Sequence, residues 1–254
     1  MKIMTYNILD GGIDSNGSRI EKILEVIKQE APDFLALQET NNFEKNDNKL
    51  LKRLSEELDL PYYGNSISEA VSGGNPYHVA SLSSYPFLKC YIFPAVLFGG
   101  AAISTLINAP FGDISVCNIH LNSRSKNHRL RELAAILEYQ RQFGKQIILG
   151  DHNDLSMTDQ YDLPKEVATY YDSPHFEVMD ILSKSYIDTA FYTHSSDMRT
   201  FPTKGVNPEN EVPVRIDYIS VTRPLVNHVR KVEVVRTPSS DVASDHYPVT
   251  AVME

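Results

Sequence analysis

Residues 146–154 read QIILGDHND. Ile147, Ile148 and Leu149 form a short continuous apolar run, which suits a buried strand. The run enters Gly150 and then a carboxylate, an imidazole, an amide and a second carboxylate, Asp151 to Asp154. A turn alone needs little more than Gly and Asn. Side chains alternate along extended chain, so Asp151 and Asn153 project to one side and His152 to the other. The stretch therefore predicts a strand whose lip carries chemistry.

Other apolar runs end in the same manner. Asn7 closes KIMTYN, Glu39 follows DFLALQ, and His120 ends SVCNIH. Asp217 lies inside RIDYI, and Asp245 and His246 precede the last strand-like run. Strand ends cluster in layered folds, so these residues are expected on one rim. Each alone has a plain structural explanation, as a turn residue, a solvated carboxylate or a satisfied core histidine. Together they require too many coincidences.

The pattern between these runs sets the architecture. Ile20, Ile23, Leu24 and Ile27 share a helical face, with Ser18 and Glu21 spaced as a capping box and Pro32 closing the segment. A second helix is expected over 46–59. Leu130, Leu133, Ala134 and Leu137 mark a third, and a fourth is expected near 175–184. A loop rich in Gly, Ser and Asn is expected over 64–76, and another over 155–175. Strands are expected at 2–8 and in HVASLSS, CYIFPAV, AAISTLI, DISVCNIHL, VRIDYISV, KVEVVRT and HYPVTAVM. Several follow one another directly, which excludes pure alternation of strand and helix. The expectation is a single α/β domain over 1–254, two packed sheets with helices outside.

Composition narrows the function. The chain has 254 residues, 42% hydrophobic, and a net charge of -9. That charge argues against wrapping long nucleic acid by counterion release. Cys117 sits among apolar residues and reads as a small buried hydrophobe. Two cysteines and no long apolar stretch at MKIMTYNIL lead to the expectation of a cytoplasmic protein. No 18-residue apolar run occurs, so no membrane span is expected. Zinc-type HEXXH and paired-Cys patterns, a phosphate-binding loop of the GxxxxGK[ST] type and a serine nucleophile elbow are all missing. Carboxylates and amides converging on one spot instead suit a hard cation such as Mg²⁺, and an Asp–His pair suits proton work. These are the parts of a phosphoester hydrolase.

At this point the chain resembles the endonuclease/exonuclease/phosphatase superfamily. The resemblance rests on MTYNI, DFLALQET, VASLSSYP, NIHL, ILGDHND, TFP, RIDYI and SDHYPV, in that order over nearly the whole chain. It implies a four-layer α/β sandwich with the site at one end, and metal-assisted attack of water on a phosphate. It also implies roles. Glu39 would bind Mg²⁺ (Mn²⁺ as a substitute), with Asn7 beside it and Asp245 near the metal and the leaving oxygen. Asp151 would orient or activate water, and Asn153 would hydrogen-bond the phosphate. His246, supported by Asp217, would serve as base or transition-state stabiliser, and His120 would contact a phosphate oxygen. His120 resembles the branch of deoxyribonucleases, sphingomyelinases, deadenylases and tyrosyl-DNA phosphodiesterases. PVRIDYI stands where inositol polyphosphate 5-phosphatases carry a WCDR signature.

His152 departs from the usual apolar residue or Thr. It reads either as a packed, hydrogen-bonded histidine or as a substrate wall, and Asp154 reads as a loop cap. Specificity is expected from loops. NSRSKNHRLR, 122–131, carries four Arg or Lys and one His. Within it Arg131 is a candidate phosphate contact, as Phe201 of MRTFPTKG is for base stacking. The expected substrate is a phosphodiester, nucleic acid or small molecule, taken by a monomer. A phosphomonoesterase, a lipid phosphodiesterase and a non-catalytic binding module are the alternatives.

Overall fold

The computed structural model describes residues 1–14, 17–67, 77–94, 99–159, 175–206 and 213–254. Among them two six-stranded sheets face each other. The first contains β1 (Lys2–Asn7), β2 (Phe34–Gln38), β3 (Tyr62–Ser66) and β4 (Val79–Ser83). The second contains β5 (Phe87–Ile92), β6 (Ala101–Ala109), β7 (Gly112–His120), β8 (Gln146–Asp151), β9 (Tyr186–Asp188) and β10 (Asp217–Thr222). The chain then returns to the first sheet with β11 (Val229–Val234) and β12 (Val249–Met253). The orders are β11-β12-β1-β2-β4-β3 and β9-β10-β8-β7-β6-β5. Both sheets are mixed: β1–β2 and β7–β8 run parallel, the other pairs antiparallel.

Period-2 alternation sorts the apolar residues into layers. Ile3, Phe34 and Ala36 from the first sheet meet Val116, Ile147, Leu149 and Ile219 from the second in the central core. Their neighbours Met4, Leu35 and Leu37 face the other way, under α1 (Ile20–Glu30) and α2 (Lys45–Glu57). Cys117, Ile119 and Ile148 lie under α3 (Lys126–Gln140) and α4 (Glu177–Leu182). The result is helix, sheet, sheet, helix: the expected four-layer sandwich.

Several local expectations change. The Ser18–Glu21 capping box does not form; Arg19 occupies the N-cap with no side-chain cap, and Ser18 Oγ accepts only from Ile20 N–H at 3.4 Å. Residues 64–66 extend β3 rather than a loop. As an edge strand, β3 pairs on one side only and is only partly covered, so it tolerates Gly64 and Asn65. The rest of the expected 64–76 loop from 68 on, residues 95–96 of CYIFPAV, and 160–174 of the 155–175 loop lie outside the described residues. The second helix runs 45–57, with Asn46, Asp47 and Asn48 left-handed at its start. The buried face of α3 is Arg129, Glu132, Leu133, Ile136 and Gln140, while Ala134 is exposed. Leu130, Leu133 and Leu137 pack on the core as the spacing expects; the spacing errs at Ala134 and passes over the polar members Arg129, Glu132 and Gln140.

The alternation that builds the core also builds the site. Along one inward face each strand passes from apolar to polar: Ile3, Thr5, Asn7; Phe34, Ala36, Gln38; Val116, Asn118, His120; Ile147, Leu149, Asp151. Register then brings the polar ends level. Asp151 pairs with His120 on one side and Asp217 on the other, and Asn7 pairs with Gln38.

Candidate active site

Asp151 Oδ2 is the centre of the rim. It accepts a hydrogen bond from Asn7 Nδ2 at 3.1 Å, and His120 Nε2 lies 3.5 Å away and His246 Nε2 3.9 Å away. Its Oδ1 accepts from the Asn153 backbone N–H at 2.8 Å. His246 Nδ1 is 2.8 Å from Asp217 Oδ2, which leaves Nε2 facing Asp151. Thr200 Oγ1 accepts from the backbone N–H groups of Ile216 and Asp217, fixing the start of β10. All of these side chains are buried.

A second group flanks this one. Glu39 accepts from Asn7 Nδ2 at 3.1 Å through Oε1, and from the Asp10 backbone N–H at 2.9 Å through Oε2. Ser244 Oγ donates to the Asn7 carbonyl and touches Asp245 Oδ1 at 3.3 Å, so the segment before β12 is pinned to the end of β1. Glu39 and Asn153 have φ of 57° and 47°. Left-handed backbone at non-glycine residues is uncommon and concentrates at functional sites.

The electrostatics divide the residues by charge. Burial raises the Glu39 carboxyl to about 7, and the Asp245 charge adds to it. Burial and the neighbouring Asp217 push Asp151 above the ordinary carboxylate range. Burial alone would lower His246, but Asp217, with its hydrogen bond, and the Asp245 and Asp151 charges outweigh it and raise the imidazole well above its ordinary value. His120 is shifted the other way, by burial, and stays neutral. The site therefore offers a charged donor at His246, a carboxylate acceptor at Asp151 and a neutral imidazole at His120.

The donor set fits a divalent cation. Glu39 and Asp245 are carboxylates close enough to repel, and the Asn7 side chain adjoins Glu39. The two carboxylates supply oxygen donors that suit Mg²⁺ or Mn²⁺, while Asn7 turns its Nδ2 to Glu39 and its Oδ1 to the Leu9 N–H. The ligand atoms of Asp151, Asp217 and His246 also lie within 4.8 Å of one another, near enough to share an ion. The hydrogen bond between Asp217 and His246 already accounts for the approach of those two.

The specificity candidates land differently. Arg131 is exposed on α3, while Arg129 is 1% exposed and donates to the Asn122 and Ser123 carbonyls. Phe201 is buried with Leu155, Val214 and Ile216, its ring 4.9 Å from that of His246. It is a wall of the site and not an open stacking platform. His152 is a packed, hydrogen-bonded histidine: Nδ1 donates to the Gly150 carbonyl and the ring meets Tyr218 edge-on at 5.0 Å. Asp154 Oδ2 caps α4, accepting from the Val178 and Met179 N–H groups. Tyr77 stands edge-on to His120, with ring centroids 4.7 Å apart. Gln38 and Asn118, hydrogen-bonded across the gap between the sheets at 2.7 Å, were not singled out by sequence. Their placement inward of Glu39 and His120 on the same alternation was the available clue.

Known proteins share this fold. Residues 4–246 match the sequence model of the Endonuclease/Exonuclease/phosphatase family. Among solved structures, a family protein from Leptotrichia buccalis is similar with a TM-score of 0.74 and 21% identity, covering 100% of this chain and 99% of that one. An AP endonuclease from Archaeoglobus fulgidus gives 0.73 and 19%, over 100% and 99%. A 3′ phosphatase from Neisseria, solved with a product DNA hairpin, gives 0.70 and 20%, over 100% and 99%. No curated protein matches at a significant level.

Proposed function

The chain belongs to the endonuclease/exonuclease/phosphatase family, and on that premise we propose that it is a Mg²⁺-dependent phosphodiesterase acting on a nucleic-acid strand or a smaller phosphodiester. The observation that carries the reading is the convergence of Asn7, His120 and His246 on one oxygen of Asp151. A buried carboxylate so surrounded is held in one orientation, and its raised pKa brings its basicity closer to working pH.

Glu39, Asn7 and Asp245 are the residues proposed to hold the ion, which supplies Lewis-acid stabilisation of phosphate charge when bound. Asp151 orients the attacking water and receives its proton. His246 Nε2–H donates to a phosphate oxygen as negative charge grows there, and Asp217 keeps the proton on Nδ1. Asn153 donates its side-chain amide to the same phosphate. His120, neutral and fixed by Tyr77, contacts another phosphate oxygen. Among the described residues no helix is long and apolar enough to cross a membrane. The proposed substrate is a phosphate ester met in water by a cytoplasmic monomer.

The test is hydrolysis of bis-p-nitrophenyl phosphate beside the p-nitrophenyl monoester, with Mg²⁺, Mn²⁺ or EDTA. The expected result is metal-dependent diester cleavage that Asp151→Ala and His246→Ala each reduce by about 10²–10⁴ while the proteins stay folded. Cleavage of the monoester alone would make the enzyme a phosphatase. Wild-type rates from folded His246→Ala would remove the assigned site.

A further inference from the structure

One buried carboxylate outside the site is hydrogen-bonded to the peptide group that accepts the Asn153 side chain. Glu132, on α3, has 0% exposure and makes three hydrogen bonds, all from backbone N–H groups. Its Oε1 accepts from Gly99 at 2.7 Å and Gly100 at 3.0 Å, and its Oε2 accepts from Asn122 at 2.8 Å. The Asn122 N–H belongs to the same planar amide as the Leu121 carbonyl. That carbonyl accepts the side-chain amide of Asn153 at 2.9 Å. Glu132, the 121–122 amide and the Asn153 amide thus form a continuous chain of hydrogen bonds.

The chain has two physical effects. Rotation of the 121–122 amide is blocked at both edges, so its oxygen can hold Asn153 Nδ2 in one place. A negative charge at the N–H edge of an amide also polarises it, and the oxygen becomes a stronger acceptor. Arg129, one turn earlier on α3, fixes the next carbonyls, those of Asn122 and Ser123. The Gly99 and Gly100 contacts serve the other wall. Gly100 packs so tightly on the His120 carbonyl that an added Cβ would lie 1.9 Å from its oxygen.

We infer that Glu132 is a positioning residue that sets the aim of the Asn153 amide through the Leu121–Asn122 peptide, so that Asn153 reaches the phosphate without reorganising. The inference rests on the phosphodiesterase reading for its kinetic consequence but not for its geometry. Glu132→Gln keeps the size and one acceptor oxygen, and turns an NH₂ toward one set of N–H donors.

The experiment is a double-mutant cycle of Glu132→Gln and Asn153→Ala on bis-p-nitrophenyl phosphate, with thermal midpoints measured for all four proteins. Glu132→Gln is expected to lower kcat about tenfold, with KM within twofold of wild type. In the Asn153→Ala background it is expected to change kcat by less than twofold, because the group it aims is gone. An undiminished tenfold loss in that background would overturn the inference. The Asn153 side-chain amide resonance, read by NMR in folded wild type and Glu132→Gln without substrate, is a second readout. It should move when the Leu121 acceptor weakens, and an unmoved resonance also overturns the inference. This separates the two ideas, since absence of turnover in wild type removes the phosphodiesterase reading alone. If Glu132→Gln does not fold, Glu132→Asp, with the charge kept and the reach shortened, goes through the same measurements with the same outcomes.

Discussion

At the scale of single residues, protonation decides most of what the site can do. Glu39 titrates at about 7 in the metal-free protein, so it is mostly protonated at pH 6 and mostly ionised at pH 8. A cation bound there must displace that proton. Addition of Mg²⁺ is expected to release close to one proton at pH 6 and few at pH 8, measured by calorimetry in buffers of different ionisation enthalpy. Equal release at the two values would take the ion away from Glu39. His152 carries the opposite kind of shift: burial lowers it to about 4. Its folded pKa lies below the unfolded value near 6.5, so the unfolded chain takes up the proton first. The stability associated with the neutral ring is full above about 6.5 and is lost as pH falls toward 4. The difference in unfolding free energy between wild type and His152→Gln is expected to move by about 3 kcal/mol against wild type from pH 7 to pH 4. A pH-independent difference in urea unfolding would show that the ring is not held neutral.

At the scale of elements, the lip of β8 depends on one glycine. Gly150 has φ +135° and lies against β7, where an added Cβ would fall 1.9 Å from the Ile119 carbonyl oxygen. Gly150→Ala is expected to cost more than about 4 kcal/mol, or to yield insoluble protein, because both backbone strain and the β7–β8 pairing oppose it. Chemical denaturation of a soluble variant with near wild-type stability would contradict this. The strands and helices were legible because hydrophobic period follows from which faces are buried. The strand ends were legible because Asn7, Glu39, His120 and Asp151 interrupt apolar runs at the position where each run stops. What escaped was polar burial. Arg129 and Glu132 occupy the inward face of α3, so a search for apolar residues widened the face to Ala134, and attention fell on Arg131. The capping box at Ser18 failed for a related reason. Arg19 is buried there, donating to the Ile8, Leu9 and Ala243 carbonyls, and tertiary contacts override the local motif.

At the scale of the whole molecule, the site straddles the gap between the sheets. Asn7, Glu39 and the segment carrying Asp245 and His246 belong to the first sheet; His120, Asp151 and Asp217 belong to the second. Geometry at the site is therefore geometry between sheets. A polar bridge beneath it ties the sheets together: Asn118 Nδ2 donates to the Leu37 and Ala80 carbonyls, and its Oδ1 accepts from Gln38. Asn118→Leu leaves these groups without that partner and is expected to cost about 2–4 kcal/mol. It should also lower kcat about tenfold by letting the halves drift, since small misplacement of reacting groups is expensive. Unfolding curves and diester kinetics on the same protein check both, and full kcat in a destabilised variant would show that the sheets keep their spacing without the bridge.

The strand order has a consequence for how the protein is made. β12 lies between β11 and β1, so the inside of the first sheet is completed by residues 249–253, pairing with residues 2–5. His246 and Asp245 arrive just before them. A nascent chain on the ribosome holds Asn7, Glu39, His120, Asp151 and Asp217 before Asp245 and His246 have been translated. A chain that stops before Asp245 therefore lacks both the His246 imidazole and β12, an interior strand of the first sheet.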